Sequence, residues 1–391
     1  MDELCMKSLF DNDLYKFTQL QAVLKKFSGV KVSSVFNNRR PEGKFNLKFF
    51  DAFKDQIKGM AYLKAEDTEL DKFFDVCPFL DKTILHPYLK NFRFDPAQIE
   101  PKLVDNELQL RILDSTWESS IQWEIPMLFT ISELYFKYCD TDWSAEDQQQ
   151  RLYEKADILN GCQYADFGTR RRRNFETQKM VVALLKGREG FRGTSNVHLA
   201  LQYGVSPIGT MAHEFTMAIS ALMGLRHANK FMLQTWSDVF HGNLGIALPD
   251  TFGSDAFFED FDGYFARLFD GVRHDSGDPY VFAEKVIAHY KRLRIDPRSK
   301  VIVFSDSLNA ELGRELTERF SHRIKVSLGI GTHFTNDYLG SKALNIVIKL
   351  ATCNGIPVVK LSDVFSKAIG EIDALRVAKW IFNKTPLDLV V

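Results

Sequence analysis

The sequence predicts an α/β protein with a smaller α+β region ahead of it. Two observations carry this expectation. In the second half, short apolar runs at 244–248, 301–304, 325–328 and 346–350 alternate with longer helical stretches. The first three of these strand candidates run straight into Asp or Gly, at Pro249-Asp250, Ser305-Asp306 and Gly329-Ile330-Gly331-Thr332. Buried parallel strands read as continuous apolar runs. Polar residues at their C-terminal ends are how an α/β barrel assembles a site. A doubly wound sheet gives the same pattern, so periodicity leaves both architectures open.

The first region opens with Asp11-Asn12-Asp13, good N-cap chemistry. Leu14, Phe17, Leu20, Leu24 and Phe27 follow at helical spacing. Residues 30–37 read as a strand, 50–92 as helices rich in Phe and Lys, and 103–108 as a hairpin turning on Asp105-Asn106. Apolar helices are expected at 125–138 and 145–160. The α+β domain is placed at 1–125 and the second domain at 126–391.

The chain has 391 residues, 45% hydrophobic and 26% charged, which suits a folded globular protein. Lys and Arg number 50 against 51 Asp and Glu, so a dedicated nucleic-acid binder is not expected. The first ten residues carry Asp2 and Glu3 and do not read as a secretory leader. No apolar run approaches the roughly 20 residues of a membrane span. Cys5, Cys77, Cys139, Cys162 and Cys353 are scattered, as expected of free thiols in a reducing cytoplasm.

Five segments are candidates for chemistry. Asp166-Phe167-Gly168-Thr169 runs into four arginines, 170–173. If they open a helix they oppose its dipole, unless an anion or nearby carboxylates compensate. A solvated basic turn and an anion site are equally good readings. Gly193-Thr194-Ser195-Asn196 is a turn that offers a hydroxyl and backbone N–H groups. Gly209-Thr210-Met211-Ala212-His213-Glu214 places an imidazole after a Gly-Thr pair; a structural histidine is the simpler reading. Arg273-His274-Asp275-Ser276-Gly277-Asp278-Pro279 puts a cation and carboxylates in one tight turn, where Asp275 could hold sugar hydroxyls or magnesium and Arg273 an anion. Ser305-Asp306 with Gly329, Gly331 and Thr332 offers a Gly-rich phosphate loop at late strand ends. The inventory suits an enzyme that handles a phosphorylated sugar and does not name its second substrate.

In order, the motifs are Asp-x-Tyr-Lys (13–16), Asp-Phe-Gly-Thr-Arg-Arg-Arg (166–172), Gly-Thr-Ser-Asn (193–196), Gly-Thr-x-Ala-His-Glu (209–214), Arg-His-Asp-Ser-Gly-Asp-Pro (273–279), Phe-Ser-Asp (304–306), Gly-Ile-Gly-Thr (329–332) and Asn-Ile-Val-Ile-Lys-Leu (345–350). This ordered set resembles nicotinate phosphoribosyltransferase, in its bacterial form, over residues 8–363. The resemblance implies an irregular α/β barrel with an α+β N-terminal domain, to which C-terminal elements return. It implies a homodimer with shared active sites. The implied reaction joins nicotinate to phosphoribosyl pyrophosphate, giving nicotinate mononucleotide and pyrophosphate in NAD synthesis. ATP would be hydrolysed through a transient phosphohistidine, as in a ligase, with magnesium required.

By the same resemblance, Phe167 is one face of an aromatic sandwich around the pyridine ring, and Tyr15 of a second subunit is the other. Arg170 lies near the reacting centre, and Thr194 and Ser195 near the base. Nicotinamide-using relatives carry Asp at the position of Ser195, so its hydroxyl implies nicotinate. His213 is the phosphorylated histidine, oriented by Asp250 or another strand-end carboxylate. Asp250, Arg273 and Asp275 line the pyrophosphate side, with Asp275 the magnesium candidate. Ser305, Asp306, Gly329, Gly331 and Thr332 form the 5′-phosphate loop, and Arg39 or Arg40 reaches in from the neighbouring subunit. The rival readings are a nicotinamide phosphoribosyltransferase, a non-catalytic phosphosugar-binding protein and an RNA binder using 170–173.

Overall fold

The computed structural model describes residues 3–40 and 42–382; residues 1–2, 41 and 383–391, including the far end of the second expected domain, lie outside it. The first helix is Leu14–Lys26, followed by β1 (Lys31–Asn38). Three helices, Leu47–Met60, Asp67–Val76 and Lys82–Asn91, fill the expected helical stretch. β2 (Ile99–Val104) and β3 (Glu107–Thr116) form the expected hairpin. Its turn residues Asp105 and Asn106 have φ of 50° and 61°, the left-handed pair that a two-residue hairpin turn demands.

Helices Glu124–Tyr138 and Gln148–Ile158 lead into a curled parallel sheet. Its strands are β4 (Tyr164–Asp166), β5 (Phe191–Thr194), β6 (Ser206–Pro207), β7 (Ile246–Ala247), β8 (Gly271–His274), β9 (Val301–Phe304) and β10 (Lys325–Ile330). Their order is β6-β5-β4-β10-β9-β8-β7. Every pairing in it is parallel. Among the described residues no ladder joins β6 to β7. Thr210 spans that gap, donating its hydroxyl to Ile246 O at 3.0 Å.

The run at 346–350 is a strand, but not of this sheet. β11 (Ile346–Cys353) leaves the barrel and pairs antiparallel with β1, matching Asn38 to Ile346 and Val32 to Cys353. With β12 (Ile356–Pro357) it completes a second sheet, ordered β12-β11-β1-β3-β2. This return lays the second sheet over the C-terminal ends of the barrel strands. One apolar core runs from Phe10, Phe17 and Phe73 in the N-terminal region to Ile302, Leu328 and Ile330 in the barrel. Among the described residues no helix is long and apolar enough to cross a membrane.

The Asp11-Asn12-Asp13 segment does not cap the first helix through its side chains. Asp13 occupies the N-cap position without a side-chain cap bond. Asn12 donates to Gln122, and Asp11 takes both ends of the Arg172 guanidinium, at 2.7 and 2.9 Å. Arg172 also reaches Glu133 at 2.8 Å and lies 4.0 Å from the centre of the Phe129 ring. Burying a cation demands such partners. The segment is stitched to the barrel by Leu14 N–H to Ser195 O at 2.8 Å and by the bridge of Asp13 with Asn196.

Replacing Arg172 by Met strands two carboxylates, the fully buried Asp11 and the largely buried Glu133. The expected loss is about 3–5 kcal/mol of folding free energy, read by urea denaturation. A loss within the error of that measurement would show that the pair does not hold the N-terminal segment down.

Candidate active site

The strand ends and the second sheet enclose a cavity of about 850 Å³. Phe167, Arg170 and Arg171 follow β4; Asp275 follows β8; Ser305 and Asp306 follow β9; Gly331, Thr332 and His333 follow β10. Arg39 at the end of β1, Lys349 on β11 and Lys360 beyond it close the opposite wall. Seven cations line the cavity (Arg39, Arg170, Arg171, Lys342, Lys349, Lys360 and Lys367) against three carboxylates, Asp275, Asp306 and Asp337. Burial, then the neighbouring Arg170 and Arg39, hold the Arg171 guanidinium well below its ordinary pKa. Such crowding favours an anionic occupant.

The run 170–173 divides in two. Arg170 and Arg171 face the cavity, and Arg172 and Arg173 are fully buried on the other side. Arg173 lies 3.6 Å from the centre of Phe136 and 4.2 Å from that of Tyr338. The run does not begin a helix: Thr169–Arg171 is one turn of 3-10 helix. The following helix, Phe175–Leu185, is capped by Asn174, whose side chain accepts from Thr177 N. The dipole conflict expected from the sequence does not arise.

His213 is the first residue of helix His213–Met223 and is buried at the cavity wall. Its Nδ1 meets Thr251 Oγ1 at 3.0 Å. Its Nε2 meets Asp275 Oδ2 at 3.0 Å, Lys360 Nζ at 2.8 Å and Asp250 Oδ1 at 3.6 Å. Burial first and Lys360 second lower its pKa to about 4, so the ring is neutral at physiological pH. The orienting group on Nδ1 is therefore a hydroxyl, while the expected Asp250 stands off at Nε2. Burial would raise Asp250, but Lys360 and then His213 bring it to about 2. Glu214 points the other way, to Lys16 at 2.7 Å and the Trp117 indole N–H at 2.7 Å. Neighbouring helical residues diverge in this way.

At the other end, the Phe167 ring packs closely against Gly329 of β10. A Cβ at Gly329 would fall 2.3 Å from the Phe167 ring. Gly329 thus serves ring placement and is not on the cavity wall; Gly331 and Thr332 are. Ser195 is buried behind this end, 3.4 Å from Thr169 Oγ1. Thr194 is spent within the protein, donating to Asp166 Oδ2 at 2.7 Å.

Other expected residues fall differently. Arg273 stands behind the wall, donating to Met211 O at 3.3 Å and lying 3.7 Å from Asp275. Arg40 turns to Glu42 at 3.0 Å and Lys342 O at 2.7 Å, away from the wall. Arg39 is carried to the cavity by β1 of the same chain. Tyr15 packs within its own chain beside Gly209, where burial, then Glu124 and Asp13, raise its hydroxyl well above the ordinary value. It is not on the cavity wall.

Sequence reasoning assigned no role to Thr251, Lys360, Lys349 or Lys367. The signal for Lys349 and Lys360 is a lone lysine in an apolar stretch, Ile-Val-Ile-Lys-Leu and Val-Val-Lys-Leu. Burial first, then Arg170 and Lys360, bring Lys349 down to about 8, against the upward pull of Glu124. Lys367 pairs with Asp306 at 2.5 Å.

His213, Asp250 and Asp275 bring three donor atoms within 4.8 Å of one another. They do not fit a resident magnesium ion. The Lys360 ammonium is already the cation of this group, 3.1 Å from Asp250 and 3.9 Å from Asp275. Magnesium also prefers an octahedron of oxygens. The magnesium role expected of Asp275 is not supported.

Comparison with known proteins agrees along the whole chain. Residues 162–385 match the model of the nicotinate phosphoribosyltransferase (NAPRTase) family, and residues 10–132 match that of its N-terminal domain. A nicotinate phosphoribosyltransferase of Methanosarcina mazei is 44% identical over 98% of this chain and 100% of its own. One of Chromohalobacter salexigens is 42% identical over 96% and 97%. Among solved structures, a putative nicotinate phosphoribosyltransferase from Saccharomyces cerevisiae superimposes with a TM-score of 0.93 at 34% identity, covering 98% of this chain and 100% of that one. One from Porphyromonas gingivalis gives 0.92 at 34%, covering 97% and 100%.

The contact of Lys360 with His213 sets a measurable quantity. In Lys360→Met the His213 pKa should rise from about 4 toward the ordinary 6.5, followed by NMR of the imidazole. An unchanged titration would show that the ammonium does not face the ring.

Proposed function

The chain belongs to the nicotinate phosphoribosyltransferase family, and from that premise we propose how its cavity joins nicotinate to phosphoribosyl pyrophosphate and consumes ATP at His213. The observation that carries the reading is the surplus of seven cations over three carboxylates in a cavity with an aromatic ring at one end and a neutral histidine at the other.

Phe167 stacks on the pyridine ring, a contact worth roughly 1 kcal/mol beyond area burial. Arg170 meets the nicotinate carboxylate, with Ser195 buried behind it. Gly331 and Thr332 take the 5′-phosphate. Asp275 and Ser305 face the ribose, held together by the Ser305 hydroxyl donating to Asp275 Oδ1 at 3.2 Å. Lys349, Lys360 and Arg39 face the pyrophosphate. The pyridine nitrogen forms a bond to the ribosyl carbon as the carbon–oxygen bond to pyrophosphate breaks. The cations stabilise the charge on the leaving group. Magnesium enters with the polyphosphates as part of the substrate.

For the ATP step, His213 Nε2 attacks the γ-phosphorus while Nδ1–H donates to Thr251, and the bond to ADP breaks. Water later releases the phosphate. The neutral ring has the lone pair this needs. A cytoplasmic setting suits the five unpaired cysteines.

The expected dimer with shared sites is not required by this arrangement. Arg39, Lys349 and Lys360 come to the cavity from the same chain as His213. We propose that each chain closes its own site.

With nicotinate and phosphoribosyl pyrophosphate the protein should form nicotinate mononucleotide, faster with ATP. His213→Asn should keep some ATP-independent transfer and lose the stimulation, together with an acid-labile, alkali-stable phosphate. A mutant still labelled or still stimulated would make His213 structural.

Arg39→Ala and Asp275→Ala should each lower kcat/KM by about 10-fold or more, as loss of a charged contact does. Mixing the two variants should restore nothing. Recovery on mixing would restore the shared-site dimer.

A further inference from the structure

Beneath the aromatic end of the cavity lies a ring of side chains, closed by one backbone N–H, that the reaction scheme does not use. Asp166 Oδ2 accepts from Thr194 Oγ1 at 2.7 Å and from Gln178 Nε2 at 2.9 Å. Thr194 Oγ1 accepts from Asn196 N at 3.1 Å, and Asn196 Nδ2 donates to Asp11 Oδ1 at 2.7 Å. Asp11 binds Arg172, and Arg172 Nη1 donates back to Gln178 Oε1 at 3.3 Å. All six residues have 0% exposure.

The ring has direct hold of the groups assigned to the base. Asp166 Oδ1 accepts from Gly168 N at 2.8 Å, fixing the residue after Phe167. Asp166 O accepts from Ser195 N at 2.8 Å. Gln178 Nε2 also donates to Thr169 Oγ1 at 3.0 Å, next to Arg170. The members come from the N-terminal segment, the ends of β4 and β5, the arginine turn and helix Phe175–Leu185.

We propose that Asp166 and Thr194 are positioning residues for the nicotinate subsite, setting Phe167, Arg170 and Ser195 through this ring without touching substrate. The proposal rests on assigning the base to that end of the cavity. Asp166 accepts three bonds through its side chain, and these are strongest while it is ionised. A protonated carboxyl adds a donor and accepts more weakly, so the three bonds loosen.

Burial lifts the Asp166 carboxyl to about 6, against which its bonds from Gln178, Thr194 and Gly168 pull downward. Asp13, from the N-terminal segment, pushes the same way as burial; the Arg172–Asp11 pair faces it at one remove, across Gln178. The folded value lies above the ordinary 3.8, so keeping Asp166 ionised costs folding stability above about pH 6. That stability returns as the pH falls through 6 toward 3.8. Acid therefore loosens the loop without weakening the fold through this group, which separates positioning from a purely structural role.

Hydrogen exchange of the ligand-free protein tests the ring without any assumption about substrate. Corrected for intrinsic rates, amides at 167–170 should exchange faster below about pH 6, while those of β9 and β10 do not. Thr194→Val should exchange fast there at every pH, and Thr194→Ser should restore the wild-type pattern. Asp166→Asn should lose the pH dependence. Kinetically, Thr194→Val should raise the KM for nicotinate about tenfold while leaving that for phosphoribosyl pyrophosphate within about twofold. A loop insensitive to pH and to Thr194→Val, or both KM values rising together, would overturn the proposal. A wild type that does not use nicotinate would instead refute the functional reading, and the exchange pattern would still decide the ring.

Discussion

A guanidinium shut away from water must find carboxylates, and much of this structure follows from where Arg172 finds them. Asp11 comes from the segment before the first helix and Glu133 from the middle of helix Glu124–Tyr138. The first fixes the N-terminal chain against the barrel; the second fixes helix Glu124–Tyr138 to the arginine turn. Held there, the first helix in turn secures the loop before His213. Thr18 donates to Thr210 O at 2.5 Å, and Gln19 Oε1 accepts from Ala212 N at 2.9 Å. A buried Lys16 then ties Glu214 to Glu124, at 2.7 and 2.6 Å. The N-terminal region is structurally part of the active site, although its ring residues face away from the cavity.

Charge is distributed unevenly across the cavity. Near His213 the Lys360 ammonium is balanced by Asp250 and Asp275, both held below the usual carboxylate range despite burial. Toward Arg39, Arg170 and Arg171 the cations face one another, and Arg171 is strained by its neighbours as well as by burial. A polyanion relieves repulsion at that end. At the His213 end it meets a cation that already has partners and a ring kept neutral. The two ends therefore differ: the cations are unbalanced at one, and the charge is balanced around a neutral ring at the other.

Strands with apolar sequence were legible: Val301–Phe304 falls where its composition puts it, as does the hairpin on Asp105-Asn106. β4, β5 and β8 were not, because they are three or four residues long and carry Asp, Arg, Gly or His. The arginine run could be read as solvated or as anion-binding, and each reading fails for half of it. A tight turn sends successive side chains to opposite sides, and only the fold decides that one side is cavity and the other core. Lys349 was hidden for a different reason. A lysine in an apolar strand marks a polar neighbour but does not say which one, and β11 meets the cavity only through its pairing with β1, some 300 residues earlier. The identities of His213 and Asp275 came from the ordered motifs, not from local physics.

The hydroxyl on His213 Nδ1 bears on the chemistry more than a carboxylate would. A carboxylate facing Nδ1 would keep a proton there. Thr251 Oγ1 can donate or accept, so it leaves the tautomer to be decided at Nε2. With the proton on Nε2, Asp275 accepts it; with the proton on Nδ1, the Nε2 lone pair accepts from Lys360. The ring can pass between these forms without turning, while burial and Lys360 keep a second proton off it. In the proposed phosphoryl transfer the reactive tautomer carries its proton on Nδ1, and the incoming phosphate displaces Lys360 from the Nε2 lone pair. The pair of partners at Nε2 accommodates both tautomers from a fixed scaffold, so the ring need not turn.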